Sequence, residues 1–227
     1  MSDKEWNELA NTFDAEAGEA FSADNVQIAW PIILNELPSG GSILDFGCGT
    51  GSFCRHLVAI GYEVTGIDPS KKMIDSAKKD TGKVDYIEGG HELLSQLSGF
   101  DALTATMVLQ FVNDEEIEAV IKAMSQSIKP GGVIVATVYN LEFAELCLKS
   151  KQFFSRSGDQ FKTDYGNGIL IETFIRHEET YRKIFEKYGL KLRTSLNPPF
   201  TEEFVKKYQW PLPSAVSEYL VMVYHKR

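Results

Sequence analysis

The sequence is poor in the groups that build disulfide frameworks and metal centres. Its 227 residues include three cysteines and four histidines. Cys48, Cys54 and Cys147 form no CxxC pair and are odd in number. That excludes a disulfide scaffold and reads as reduced, mostly buried thiols of a cytosolic protein. No spacing of His, Cys, Asp and Glu matches a zinc-type site, so no metal is expected. No apolar run approaches the ~20 residues that span a bilayer. The start, Met1-Ser2-Asp3-Lys4-Glu5, is polar and carries acid, unlike a signal peptide. Dense basic runs are missing, and the formal net charge of −9 argues against holding a phosphate backbone. There is no internal repeat and no low-complexity segment. What remains is a globular composition, 43% hydrophobic and 24% charged, sufficient for one large α/β domain over residues 1–227.

The chain is organised around residues 43–53. A short apolar run, Ile43-Leu44, ends on Asp45, and Gly47, Gly49 and Gly51 follow at alternate positions. A helical pattern then begins with Phe53, His56, Leu57 and Ile60. This reads as a buried strand, a tight turn and a helix N-terminus, the unit with which open α/β sheets bind nucleotide-like ligands. Glycine lets the backbone turn with positive φ and lets a ligand approach with no Cβ in the way. The dinucleotide fingerprint G-x-G-x-x-G is not met, because Ser52 stands where its third glycine belongs. Asp45, placed at the mouth of the turn, would repel a pyrophosphate by ~4 kcal/mol at ~4 Å and an effective dielectric of ~20. It would favour a cation, and S-adenosylmethionine carries a sulfonium and an ammonium but no phosphate. The stretch resembles motif I of the class I S-adenosylmethionine-dependent methyltransferases.

Further motifs extend the resemblance. Glu63-Val64-Thr65-Gly66-Ile67-Asp68 reads as a second strand with Asp68 at its tip, where a βαβ nucleotide site places an acid for the ribose hydroxyls. Asp68-Pro69-Ser70 followed by Met73 is similar to the family's second motif, which implies that Pro69 and Met73 flank the adenine. After a third strand, 84–88, the family has Gly-Asp, with the acid on the adenine amino group. This chain has Gly89-Gly90-His91-Glu92, so the acid falls on Gly90. A backbone amide at Gly90 or His91, or the Glu92 carboxylate, is left to replace it. A fourth strand begins at Phe100-Asp101, and the resemblance implies that its tip, Thr106-Met107, faces the transferable methyl. Many relatives have histidine around Gln110 and Phe111, which makes Gln110 a substrate-contact candidate. Lys129-Pro130-Gly131-Gly132 leads into a fifth strand, 133–139.

The flanks are less regular. Residues 3–21 carry a broken helical pattern, and 24–37 read as a second helix that Pro31 kinks or restarts. The family resemblance implies that segment 1–38 is a helical lid, with Phe13 near the cofactor and Phe21 and Trp30 near the acceptor. The cofactor core spans 40–139. Residues 140–175 form a substrate-pocket insertion, with a loop or hairpin at 151–168 and an alternating strand at 169–175. Residues 176–227 supply a helix and the last strands. The implied fold is a Rossmann-like three-layer sandwich, with a seven-stranded, mostly parallel sheet and an antiparallel last strand.

The implied activity is methyl transfer by in-line displacement to O, N or C of a small-molecule acceptor, with S-adenosyl-L-methionine as cofactor. Such a reaction mainly needs the nucleophile aligned about 3–3.5 Å from the methyl carbon with water excluded. A general base is optional. The polar candidates for acid–base or orienting roles are His91, Gln110, Tyr139, Tyr165, Glu172 and His177. No nucleic acid and no membrane are expected as partners, and the chain is expected to be a monomer or homodimer. Two alternatives remain at this level: a cofactor-binding sensor or partner protein without catalysis, and a nicotinamide-dependent oxidoreductase.

Overall fold

The computed structural model describes residues 3–10, 25–79, 82–151, 153–157, 160–164, 169–210, 213 and 215–227. At the N-terminus lie α1 (Asp3–Leu9), one π-helical turn (Asn25–Ala29) and α2 (Trp30–Glu36). The π-turn gives way to α-helix at Trp30, and Pro31 occupies the first turn of α2. Proline is tolerated there because that N–H has no helical partner in any case. Pro31 therefore restarts the helix, as its position predicts.

The core then alternates strand and helix. It runs β1 (Ser42–Phe46), α3 (Ser52–Ala59), β2 (Glu63–Asp68), α4 (Lys71–Ala77), β3 (Val84–Glu88), α5 (His91–Leu94) and β4 (Phe100–Thr106). A 3-10 turn (Leu109–Phe111), α6 (Ile117–Ser127) and β5 (Ile128–Tyr139) complete it. Beyond it come α7 (Leu141–Ser150), β6 (Phe154–Ser157), β7 (Gln160–Asp164), β8 (Leu170–Thr173), α8 (Glu178–Lys187), β9 (Leu190–Leu196), α9 (Glu202–Lys207) and β10 (Tyr219–Lys226).

The large sheet has seven strands in the order β3-β2-β1-β4-β5-β10-β9. Strands β1 to β5 pair in parallel, and β10 pairs antiparallel with both β5 and β9. The order runs outward from β1 in both directions, so the crevice beyond the C-terminal ends of β1 and β4 is the topological switch point, where such sheets bind ligands.

Period-two alternation divides the core between the two faces. Val133, Val135, Tyr219, Val221 and Val223 join one buried cluster with side chains of α2, α3, α4 and α7. Ile134, Ala136, Val138, Leu220, Met222 and Tyr224 join another with α5, α6 and α8. Strands apolar on both faces fit a sheet covered on both sides.

Two differences from expectation have local causes. β5 begins at Ile128 rather than 133, because Ile128 already pairs with Phe100 before the register shifts to Ala102–Val133. The Lys-Pro-Gly-Gly segment is the bulge between those pairs, and Gly131 takes a φ of 78° there. The insertion after β5 forms a second, antiparallel sheet, β6-β7-β8. Its Phe154 and Phe161 pack toward Tyr139 and Phe143.

Candidate active site

The turn after β1 is tied to the neighbouring strand tips. Gly47 N and Cys48 N donate to Ile67 O at 2.7 and 3.1 Å, and Gly51 N donates to Cys48 O at 2.9 Å. Its three glycines serve different ends. At Gly47 a Cβ would collide with Val108, and at Gly51 with the Tyr86 hydroxyl, so packing excludes side chains there. At Gly49 (φ 54°) a Cβ would meet nothing within 4 Å. Only Gly49 leaves the space that a ligand lying against the backbone requires.

Asp68 closes the turn from the tip of β2. Its Oδ2 accepts from Gly49 N at 2.9 Å, and its Oδ1 accepts from Ser70 N at 2.8 Å. The N-cap of α4 is Ser70, whose Oγ accepts from Met73 N. Asp68 is thus not the helix cap. It is a nearly buried carboxylate at the mouth of the switch-point crevice.

Asp45 corrects the sequence reading. It lies beneath the turn rather than at its mouth, 3% exposed, with Oδ1 accepting from Thr104 Oγ1 at 2.7 Å and Oδ2 from Cys54 Sγ at 3.2 Å. Burial pushes its carboxyl pKa up against the lowering effect of those two hydrogen bonds. From beneath the turn Asp45 braces β1, β4 and α3 through these two hydrogen bonds.

A cavity of about 360 Å³ adjoins the β2 and β3 tips. Pro69, Gly89, Gly90, His91 and Glu92 line one side, and Val112 and Glu116 lie across from them. A Cβ on Gly90 would stand 2.9 Å from Glu92 Oε2, so the Glu92 carboxylate occupies the space in front of Gly90. Met73 is not among the lining residues, being buried in the hydrophobic core behind α4.

At the tip of β4, Met107 has a φ of 56°, and its N–H donates to both Thr137 O and Thr137 Oγ1 at 3.0 Å. The Thr106 hydroxyl is buried without a partner among the described residues. Gln110, in the turn that follows, is completely buried.

Helix α1 spans the crevice mouth. Asn7 Oδ1 accepts from Ser70 Oγ at 3.0 Å and Lys72 N at 3.1 Å on the β2 side. Trp6 meets Phe111 edge-on at 4.9 Å on the β4 side. Trp30 instead packs on α3, against Phe53 and His56, which corrects its assignment to the acceptor side. Tyr139 is buried in an aromatic cluster with Phe143 and Phe154. His177 is exposed at the N-cap of α8 and Glu172 is exposed on β8, so neither is enclosed with the strand tips. Phe13, Phe21 and Tyr165 lie outside the described residues.

Asn7 and Arg176 carry no motif, and Asn7 stands 63 residues from its partner Ser70 and Arg176 62 residues from its partner Asp114. The sequence holds no signal that reveals either. Among the described residues no group of three or more His, Cys, Asp or Glu side chains is placed to hold a metal ion. Among the described residues no helix is long and apolar enough to cross a membrane.

Comparison with known proteins gives the family. A methyltransferase-domain family matches residues 16–195. An uncharacterised methyltransferase of Bacillus mycoides is 31% identical over 201 residues, covering 85% of this chain and 91% of that protein. A ubiquinone biosynthesis O-methyltransferase of Rhodopseudomonas palustris is 31% identical over 167 residues, covering 70% of this chain and 65% of that protein. The crystal structure of an S-adenosylmethionine-dependent methyltransferase from Mesorhizobium loti superposes with a TM-score of 0.66 at 19% identity, covering 87% of this chain and 97% of that one. The chain belongs to the class I S-adenosylmethionine-dependent methyltransferase family.

Proposed function

We propose that this protein methylates an O, N or C atom of a small-molecule acceptor, with S-adenosylmethionine bound across the C-terminal tips of β1, β2 and β3. The observation that carries the reading is the open space in front of Gly49, in a turn whose other two glycines are closed by packing. Beside it stand the Asp68 carboxylate and the cavity at Gly90. These residues fit the cofactor: backbone for close approach, an acid for ribose hydroxyls, and a recess for a planar base.

S-adenosylmethionine supplies, when bound, a methyl group made electrophilic by its sulfonium. Asp68 accepts the ribose hydroxyls. Pro69, Gly90 and His91 border the adenine, and Glu92 takes the place of the acid missing at Gly90. Thr106 and Met107 border the reacting end. Trp6 and Asn7 hold α1 over the crevice and keep water out. The similarity to a ubiquinone biosynthesis O-methyltransferase supports oxygen in a small molecule as the first acceptor to test.

The test is calorimetric titration of the purified chain with S-adenosylhomocysteine, with NADH in parallel. Micromolar binding of the first alone is expected. Binding of NADH alone would overturn the assignment. Replacing Glu92 by Ala should weaken S-adenosylhomocysteine, and unchanged affinity would remove Glu92 from the adenine site.

A further inference from the structure

Gln110 has no exposed surface, and neither its Oε1 nor its Nε2 has a hydrogen-bond partner among the described residues. Buried side-chain amides are normally paired, and an unpaired one is costly to the fold. The backbone around it shows the opposite. Gln110 O accepts from Phe174 N at 2.6 Å. The Arg176 guanidinium, 8% exposed, donates to Leu109 O at 3.2 Å and Val112 O at 2.6 Å, on either side of Gln110. It also donates to Phe174 O at 3.3 Å and to Asp114 Oδ1 at 2.8 Å. The backbone of the turn is fixed on both sides, while the polar atoms of its central, buried side chain are left unused. Thr106 Oγ1, four residues earlier at the β4 tip, is the second buried oxygen of this edge without a partner there. Both lie beside the switch point where the glycine turn begins.

We propose that Gln110 reads the methyl acceptor. Its amide offers N–H donors on Nε2 and a carbonyl acceptor, Oε1, in a site closed to solvent. It therefore binds a molecule that presents the complementary pair on neighbouring atoms, a hydroxyl beside a carbonyl or carboxylate oxygen. This rests on the methyl-transfer reading above and names the chemistry of its acceptor. An amide takes up no proton at neutral pH, so Gln110 orients the acceptor and does not deprotonate it. A site built to pair both atoms rejects an analogue lacking one by a factor on the order of 10⁴.

The test uses Gln110→Met, which keeps the length of the side chain and removes both polar atoms, with Gln110→Leu as a second variant. If the amide serves a ligand rather than the fold, both variants should unfold about 2–4 °C higher than the wild-type chain. Their S-adenosylhomocysteine affinity should stay within about twofold of wild type, because the cofactor contacts are elsewhere. With labelled S-adenosylmethionine, 2-hydroxybenzoate and 2-hydroxyacetophenone serve as acceptor probes, and phenol as the analogue lacking the pair. Any probe that the wild type methylates should lose kcat/KM by at least about 100-fold in Gln110→Met.

A lower unfolding temperature in both variants, with S-adenosylhomocysteine binding intact, would show a structural amide and overturn the proposal. So would unchanged kcat/KM on a methylated probe. Absence of S-adenosylhomocysteine binding by the wild type would overturn the methyl-transfer reading instead.

Discussion

The two edges of the seven-stranded sheet differ in how they use polar groups. At the N-terminal edge, Asp101 at the start of β4 accepts from Ser42 N at 2.9 Å, Ser42 Oγ at 3.0 Å and Lys129 Nζ at 2.6 Å. These bonds join the starts of β1 and β4 to the bulge of β5. Gly41 fits against them so closely that a Cβ there would lie 2.6 Å from Asp101 Oδ2. At the C-terminal edge, Gln110 and Thr106 hold buried polar atoms without partners among the described residues, Met107 has a positive φ, and Gly49 faces open space. One edge is closed on itself for stability. The other keeps donors, acceptors and strain in reserve, as binding sites do.

Arg176 is where the comparison is most easily broken, because it serves the C-terminal edge yet its bonds are structural. Replacing it with Ala leaves the carbonyls of Leu109, Val112 and Phe174 without that donor. A loss of about 3 kcal/mol of unfolding free energy is expected, read in urea. A loss under about 1 kcal/mol would mean that the turn is held by other contacts.

Gly49→Val comes next. It should weaken S-adenosylhomocysteine by at least about 100-fold, or about 2.7 kcal/mol, while costing the fold little beyond its positive φ. Retained affinity would refute close approach at this turn. Asp68→Ala follows, with an expected loss of about 1–3 kcal/mol of binding from missing charge-assisted hydrogen bonds. Unchanged affinity would sink the ribose assignment, although the turn itself would loosen, because Gly49 N loses its acceptor.

The glycine turn and the Asp68 carboxylate beside it are legible in the sequence because their geometry is local. Strand, glycine turn and helix are consecutive, and Asp68 lies 19 residues from Gly49, the length of one strand–helix unit. The same locality made β1 to β5 readable from apolar runs and punctuation. Asp45 misled because spacing does not say on which side of a strand a carboxylate falls. Its side chain turned toward Thr104, 59 residues away, rather than toward solvent. The acceptor side was less legible for the same reason. Gln110 stood out only through a family position, and nothing in the sequence says that Arg176 and Phe174 would immobilise it. Trp30 looked like a lid aromatic, but its partners on α3 are set by how α2 docks.

The smallest effect belongs to the N-terminal edge and sharpens the contrast by leaving the site alone. The Lys129 ammonium, then the Ser42 backbone and hydroxyl, hold the Asp101 carboxyl at about 2, below the ordinary 3.8. A carboxyl depressed in the folded state contributes stability above its unfolded pKa and loses it as pH falls toward the folded value. The wild-type chain should therefore lose an increment of stability between pH 4 and 2 that Asp101→Asn lacks. The side chain is about one-third exposed, so solvent screening keeps this contribution at or below about 1 kcal/mol. At pH 7 the variant should unfold slightly earlier, and the two curves should converge on acidification. S-adenosylhomocysteine affinity at pH 7 should be unchanged, since the proposed cofactor site lies at the opposite edge. Parallel acid limbs would show that the Asp101 network contributes nothing as a charge. A variant that loses cofactor affinity would show that the two edges are coupled through β4, and the division between a stabilising edge and a binding edge would fail.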